Sequence, residues 1–408
     1  MALAGSSEAQ VYYTHAVDEN VRTVRRIVDG DFSKLPVITA DGSSSIELSF
    51  DYLADDQPWL SYSIVHCDAA WHQDNLSEMD YLDGFLPVDI DDVSPSFNTF
   101  TQYYHYRVTF PNDDVSLTAS GNYAVVFHTE NEPDDVVAVA TFSVSEQKAF
   151  VHGSVSANTD IDFQDTHQQL TLDVAWSNSQ LPNLNPADDL RLLVQQNNRR
   201  DSQRWLTAPS RMQAGRAFYE HNPQLIFEAG NNWYRFEYTD HRYATLGIDH
   251  LEYHAPFYYV YLNMVKAAPH ASYRYDRDQH GRYLVHALHV SDIDTEAEYF
   301  KAMFVLDAPS TLDGRGIYLL GEFTDQVIGE STRMIYDPEG GVFCREVMLK
   351  QGSYNYQYVM PEGEQLTTRF IAGNHYETPN EYEVWVYYRP FGARYDRLLG
   401  VAKIEDKK

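Results

Sequence analysis

Ile46-Glu47-Leu48-Ser49-Phe50-Asp51-Tyr52 decides the fold class. In an extended chain its four apolar side chains fall on one face, and Glu47, Ser49 and Asp51 fall on the other. The same period of two recurs in Leu60, Tyr62 and Ile64, in Tyr104, Tyr106, Val108 and Phe110, in Tyr123, Val125 and Phe127, and in Ala138, Ala140, Phe142 and Val144. It resumes with Leu170, Leu172, Val174 and Trp176, then Leu190, Leu192 and Val194, then Tyr234, Phe236 and Tyr238. Phe300, Ala302, Phe304 and Leu306 carry it on, and Tyr382, Val384, Val386 and Tyr388 close it. Such alternation marks strands with one face buried and one solvated. Between Val17 and Val28 the valines also fit a helical spacing, but the neighbouring pattern predicts a strand there.

The pattern pauses near Glu146–Lys148 and again at the acidic stretch Ser291–Glu298. At roughly 150 residues per domain, 408 residues make two to three domains. Many short strands separated by turn residues, such as Asp337-Pro338-Glu339-Gly340-Gly341, read as β-sandwiches. The expected architecture is all-β: three tandem immunoglobulin-like β-sandwich domains over residues 11–147, 148–291 and 292–404.

Sixty Asp and Glu stand against 30 Lys and Arg, a formal net charge of −30, which argues against nucleic acid and anionic membrane surfaces because both need basic patches. The 31 tyrosines favour sheets over helices. Cys67 and Cys344 are too few for a disulfide framework and read as thiols. No apolar run approaches the roughly 18 residues of a membrane helix. The first ten residues carry neither a basic region nor a long apolar run, so no intact signal peptide is read there. That leaves two locations open, the cytoplasm or an exported protein without its signal.

Catalytic signatures are missing. There is no G-x-S-x-G elbow, no Walker A loop and no full G-x-G-x-x-G, since Gly314-Arg315-Gly316 is followed by Leu319 at the third glycine position. In His250-Leu251-Glu252-Tyr253-His254 the glutamate comes one position too late for a zincin helix, so a surface cluster is expected. His66, Asp68 and His72 around Cys67 read as strand-end structure before they read as metal ligands. Asp292, Asp294, Glu296 and Glu298 share one side of an extended segment, which fits either a calcium ion between domains or, preferred here, a solvated acidic linker. No catalytic residue, metal or cofactor is therefore expected. The aromatics point elsewhere. Trp385 and Tyr387 lie opposite Tyr382, Val384, Val386 and Tyr388, and a strand aromatic on both faces is covered by a neighbouring domain or presents a binding surface.

Several motifs together resemble the plug protein family of the type IX secretion system of Bacteroidetes-type bacteria. They are Tyr62-Ser-Ile-Val-His-Cys-Asp-Ala-Ala-Trp71, Tyr81-Leu-Asp-Gly-Phe85, Ser96-Phe-Asn-Thr-Phe100, His105-Tyr-Arg-Val-Thr-Phe-Pro-Asn112, Ala229-Gly-Asn-Asn-Trp-Tyr-Arg-Phe236 and Asn380-Glu-Tyr-Glu-Val-Trp-Val-Tyr-Tyr-Arg389. The resemblance runs from about residue 20 to 400. It implies a periplasmic, outer-membrane-associated, non-enzymatic protein that closes the periplasmic mouth of the translocon barrel without inserting in the membrane. Candidate partner contacts are Tyr81, Leu82, Asp83, Phe85, Phe97 and Asn98 in loops, and Trp385, because aromatic residues anchor interfaces. The last domain is also similar to immunoglobulin-like glycogen-binding modules, with Gly321-Glu-Phe-Thr324 echoing their turn. The tryptophan expected after that turn is replaced by Asp325, Gln326 and Val327. The alternative expectation is thus a carbohydrate-binding or polysaccharide-processing protein, which substitution of Trp385 or Trp233 would test on a glycan array.

Overall fold

A computed structural model describes residues 10–405; nine of the first ten residues, in which no signal peptide is read, lie outside them. The chain is all-β, with helix reduced to single turns such as Glu78–Tyr81, Pro186–Asp189 and Ile293–Glu296. The period-two segments form strands as expected: Ile46–Tyr52, Leu60–Cys67, Tyr104–Phe110, Gly121–Thr129 and Val136–Ser145. Val21–Val28 is a strand, because its register against Ile46–Tyr52 buries Val21 and Val28.

Two sheets build the N-terminal unit. One runs Val21–Val28, Ile46–Tyr52, Tyr104–Phe110 and Val93–Pro95; the other is centred on Gly121–Thr129 between Val136–Ser145 and Leu60–Cys67. Their apolar faces meet in one core from Val21 to Val144. Phe50 of the first sheet, for instance, packs against Phe127 of the second with ring centroids 4.9 Å apart.

Beyond residue 148 the sheets cross the boundary expected at 291/292. Glu381–Tyr388 pairs with Leu190–Gln196, matching Leu192 with Val386, and Arg397–Glu405 forms the edge of the same sheet. The second core therefore joins Ala149–Phe227 to Tyr382–Ile404. The third core, Phe236 to Ile371, belongs to a unit inserted between them. It includes Tyr234–Tyr238 paired with Gly352–Glu362, and Phe257–Leu262 paired with Tyr299–Asp307. The third core is thus nested within the second, whose unit is split in sequence, while the first precedes both, so the three are not simply in tandem. Alternation names a strand's buried face, but the partner across the sheet is a long-range choice that carries no local signal.

Cys67 and Cys344 are free thiols, in the N-terminal and inserted units respectively. Burial pushes the Cys67 thiol up, so it packs as an apolar residue.

Candidate partner-docking surface

The Tyr81 motif forms a small lobe. Ser77 donates from its backbone N–H and hydroxyl to Asp80 Oδ2 at 2.9 and 2.7 Å, capping the turn Glu78–Tyr81. Leu82–Gly84 then pairs with Val115–Leu117. Gly84 has φ +144°, and a Cβ there would lie 2.5 Å from the Asp114 carbonyl oxygen, so only glycine fits the turn. Tyr81 and Leu82 point into the core, with the Tyr81 hydroxyl donating to Ile64 O at 2.9 Å. Asp83 is exposed, Phe85 is 91% exposed and Met79 90%. Arg394 of the split unit donates to both carboxylate oxygens of Asp80 at 3.1 and 2.9 Å and steadies the lobe.

The second predicted loop, around Phe97 and Asn98, lies against the inserted unit. Asn98 takes φ +58° and reverses the chain. Phe97 N donates to Thr295 O at 2.9 Å, while Phe100 N and Thr101 N donate to the Glu298 carboxylate at 2.5 and 3.1 Å. The Phe100 ring approaches Tyr253 and Tyr258 at 5.7 and 6.3 Å, and those two pack on each other at 4.8 Å. Phe97 is 62% and Phe100 59% exposed. The result is an aromatic patch contributed by two units. The structure thus joins Phe100 to the Tyr253 hairpin, ties Phe97 to the Thr295 turn through its backbone, and leaves Phe85 on its own lobe.

Trp385 is placed differently. Its strand is buried on both faces, one in the second core and the other against the N-terminal unit. Trp385 and Tyr387 pack with Ala69, Leu193 and Leu398, and the Tyr387 hydroxyl donates to Asn122 Oδ1 at 3.1 Å. The aromatic surplus on this strand is covered by a neighbouring unit, so Tyr81, Leu82 and Trp385 have no surface to offer a partner as the chain is folded.

What holds the units together has no local sequence signal. Asp51, on the polar face of the opening strand, is buried under the inserted unit. Its carboxylate accepts from Lys350 Nζ at 2.7 Å and the Tyr299 hydroxyl at 2.6 Å, and lies 2.7 Å from His105 Nδ1. Lys350 also donates to Asp294 O at 2.7 Å and sits 4.1 Å from the Tyr103 ring centroid. Asp294 pairs with Arg25 at 2.5 Å and Arg107 at 2.8 Å. The stretch Asp292–Glu298 is therefore an ion-paired clamp rather than a solvated linker. Asp292 caps the turn that follows it, Glu296 accepts from Ser291 N, and Glu298 holds the Phe100 loop. Among the described residues no group of three His, Cys, Asp or Glu is arranged to hold a metal. His250, Glu252 and His254 share an exposed strand face, with His254 Nε2 2.9 Å from Glu252.

Two further contacts complete the lock. Arg282 of the inserted unit pairs with Glu381 of the split unit and lies 3.5 Å from Glu383, while Lys403 meets Glu381 at 3.0 Å. Burial beside Glu381 pushes the Glu383 carboxyl well up. At the N-terminal seam Arg397 donates to both oxygens of Glu146 at 2.7 and 2.6 Å. Burial raises the Glu146 carboxyl, but hydrogen bonds from Arg397, Lys148 and Ser120 outweigh it and hold it at about 2.

Acid should therefore open the seams. Glu146 has a folded value below its ordinary 4.5, so its stabilisation is fully present above about pH 4.5 and is lost as pH falls toward 2. Asp294 and Asp51 are also held below their ordinary values, against burial, chiefly by Arg25 and by Lys350 respectively, and carry the same sign. The thermal midpoint is expected to fall steeply between about pH 5 and 2, and Glu146→Gln to flatten part of that fall. A midpoint level across this window contradicts the assignment.

The chain is all-β, with its units locked by buried ion pairs and aromatic side chains exposed on two loops. Residues 21–146 match the family model described as Type 9 secretion system plug protein 1st domain, and that span coincides with the N-terminal core. No curated protein matches the chain. Among solved structures, a hypothetical protein from Parabacteroides merdae is 38% identical, with a TM-score of 0.94, over 97% of this chain and 100% of its own. At that identity and coverage this chain belongs to the same family as the Parabacteroides merdae protein. Among the described residues no helix is long and apolar enough to cross a membrane.

Proposed function

We propose that this chain is a non-enzymatic binding protein of the type IX secretion system that docks on the periplasmic mouth of the outer-membrane translocon barrel and plugs it. The observation that carries the reading is the match of residues 21–146 to the plug protein first domain. Rigidity supports it, because a plug must resist deformation and the charge clamp fixes the inserted unit on the N-terminal one. Phe85 and Asp83 on the lobe, and Phe97 and Asn98 beside Phe100, are the proposed contacts. Charge adds a condition on the partner. Arg25, Lys350 and Arg282 are engaged with Asp294, Asp51 and Glu381, so the clamp takes equal charge of both signs out of play and the net −30 stays on the rest of the chain; the docking rim of the barrel is therefore expected to be basic.

Glycan stacking gains no support. Trp233 and Trp385 are both buried, and the Gly321–Thr324 turn lies beside the unit junction, where Glu322 meets Arg26 at 3.6 Å. Deleting the gene tests the plug reading. Entry of a large, normally excluded antibiotic is expected to rise in the deletion strain and to return to normal on complementation. Unchanged permeability overturns the reading.

A further inference from the structure

All three units meet around a cavity of about 90 Å³, room for several waters or one small molecule. Arg26 of the N-terminal unit, Arg200 of the split unit and Gln326 of the inserted unit line it. Arg26 is partly engaged, donating to Thr141 O at 3.3 Å and facing Glu322 at 3.6 Å. Arg200 lies 4.2 Å from the Tyr13 ring centroid and has no ion pair or side-chain hydrogen bond among the described residues. Both polar atoms of the Gln326 amide are buried without a hydrogen-bond partner, and this residue holds a left-handed backbone at φ +55° directly after Asp325 at +54°. Two successive left-handed residues thus bring an unpartnered amide to a cavity also lined by two guanidiniums, an arrangement that calls for a partner group.

We propose that this junction cavity binds the oxyanion group of a small molecule, a carboxylate or a phosphate, held by Arg200 and Arg26 with Gln326 as an amide donor. Guanidinium forks match both oxyanions in geometry and charge. The acidic walls do not cancel the two cations. Burial raises the Asp325 carboxyl to about 7, against the Ala16 N–H and Arg26 that lower it, so near neutral pH it is partly uncharged. Glu322 then remains as the one full negative charge facing two positive ones. A ligand seated here touches residues of all three units and ties them together.

Isothermal titration of the full chain with inorganic phosphate and, separately, with citrate, each against sodium chloride of equal ionic strength, tests the proposal and tells the two chemistries apart. Saturable binding of at least one probe is expected, weakened at least tenfold in Arg200→Gln and retained in Phe391→Ala, an exposed control. Gln326→Leu serves as a second variant and should weaken binding as well. Absence of saturable binding to the wild-type chain up to about 10 mM of either probe overturns the proposal, whatever the variants do. Full-strength binding by a folded Arg200→Gln chain overturns it too.

Discussion

Replacing Lys350 with Met is expected to lower the unfolding free energy by about 3–5 kcal/mol, because it leaves a buried carboxylate without its cation. Lys350 and Asp51 are both essentially solvent-free, and the ammonium sits between Asp51, the Asp294 carbonyl and the Tyr103 ring. Met fills nearly the same volume, so the loss is electrostatic and not a cavity. Asp51 keeps the Tyr299 hydroxyl and the His105 ring, neither of which replaces a fixed positive charge. Adding Asp51→Asn should recover a large part of the loss, since the pair is costly mainly when one partner is missing. Denaturant unfolding measures both steps. Limited proteolysis should also show cleavage near residues 291–298 in the single variant, where the clamp no longer holds the Asp294 turn. A single variant within about 0.5 kcal/mol of wild type would show that this pair does not hold the units together.

Phe85→Asp and Phe97→Asp, each alone, are expected to weaken docking on the translocon at least about thirtyfold, the size of an interface hot spot. A carboxylate there removes an aromatic anchor and adds to an already acidic surface, which costs more than truncation alone. Both residues are exposed and outside every core, so stability should stay within about 0.5 kcal/mol of wild type. Trp385→Ala is the contrasting case. It empties a buried site between two units and should cost about 3–5 kcal/mol of stability with no selective effect on docking. Phe150→Asp, at an exposed position on another face-lining strand, should leave binding unchanged. Docking indifferent to both loop substitutions would move the contact surface elsewhere on the chain.

The sequence exposed the strands and hid their partners. Period-two alternation placed Ile46–Tyr52 and Glu381–Tyr388 correctly, since a strand's buried face is written in neighbouring residues. It could not show that Glu381–Tyr388 returns to Leu190–Gln196 across an inserted unit of well over a hundred residues, because pairing over such a distance leaves no local trace. The candidate contact residues split in two. Phe85 and Phe97 are exposed, while Tyr81, Leu82 and Trp385 share their aromatic or apolar character but face inward. Composition names an anchor residue; only the fold decides which way it points. Phe100 and Tyr253 each lie in a recognisable motif, yet nothing local reveals that they meet. The clamp was the least legible feature. Asp51, His105 and Arg107 looked like the solvated face of an ordinary strand, and the acidic run at Asp292–Glu298 looked like a linker. Opposite charges spaced far apart in the chain become a buried cluster only after two units close on each other.

Affinity capture of the tagged full-length chain from native envelope extracts tests the central claim most directly. The outer-membrane barrel of the type IX translocon is expected to co-purify with the wild-type chain and to be lost from the Phe85→Asp, Phe97→Asp double variant. Capture without the barrel, or equal recovery of the barrel by both chains, contradicts the account.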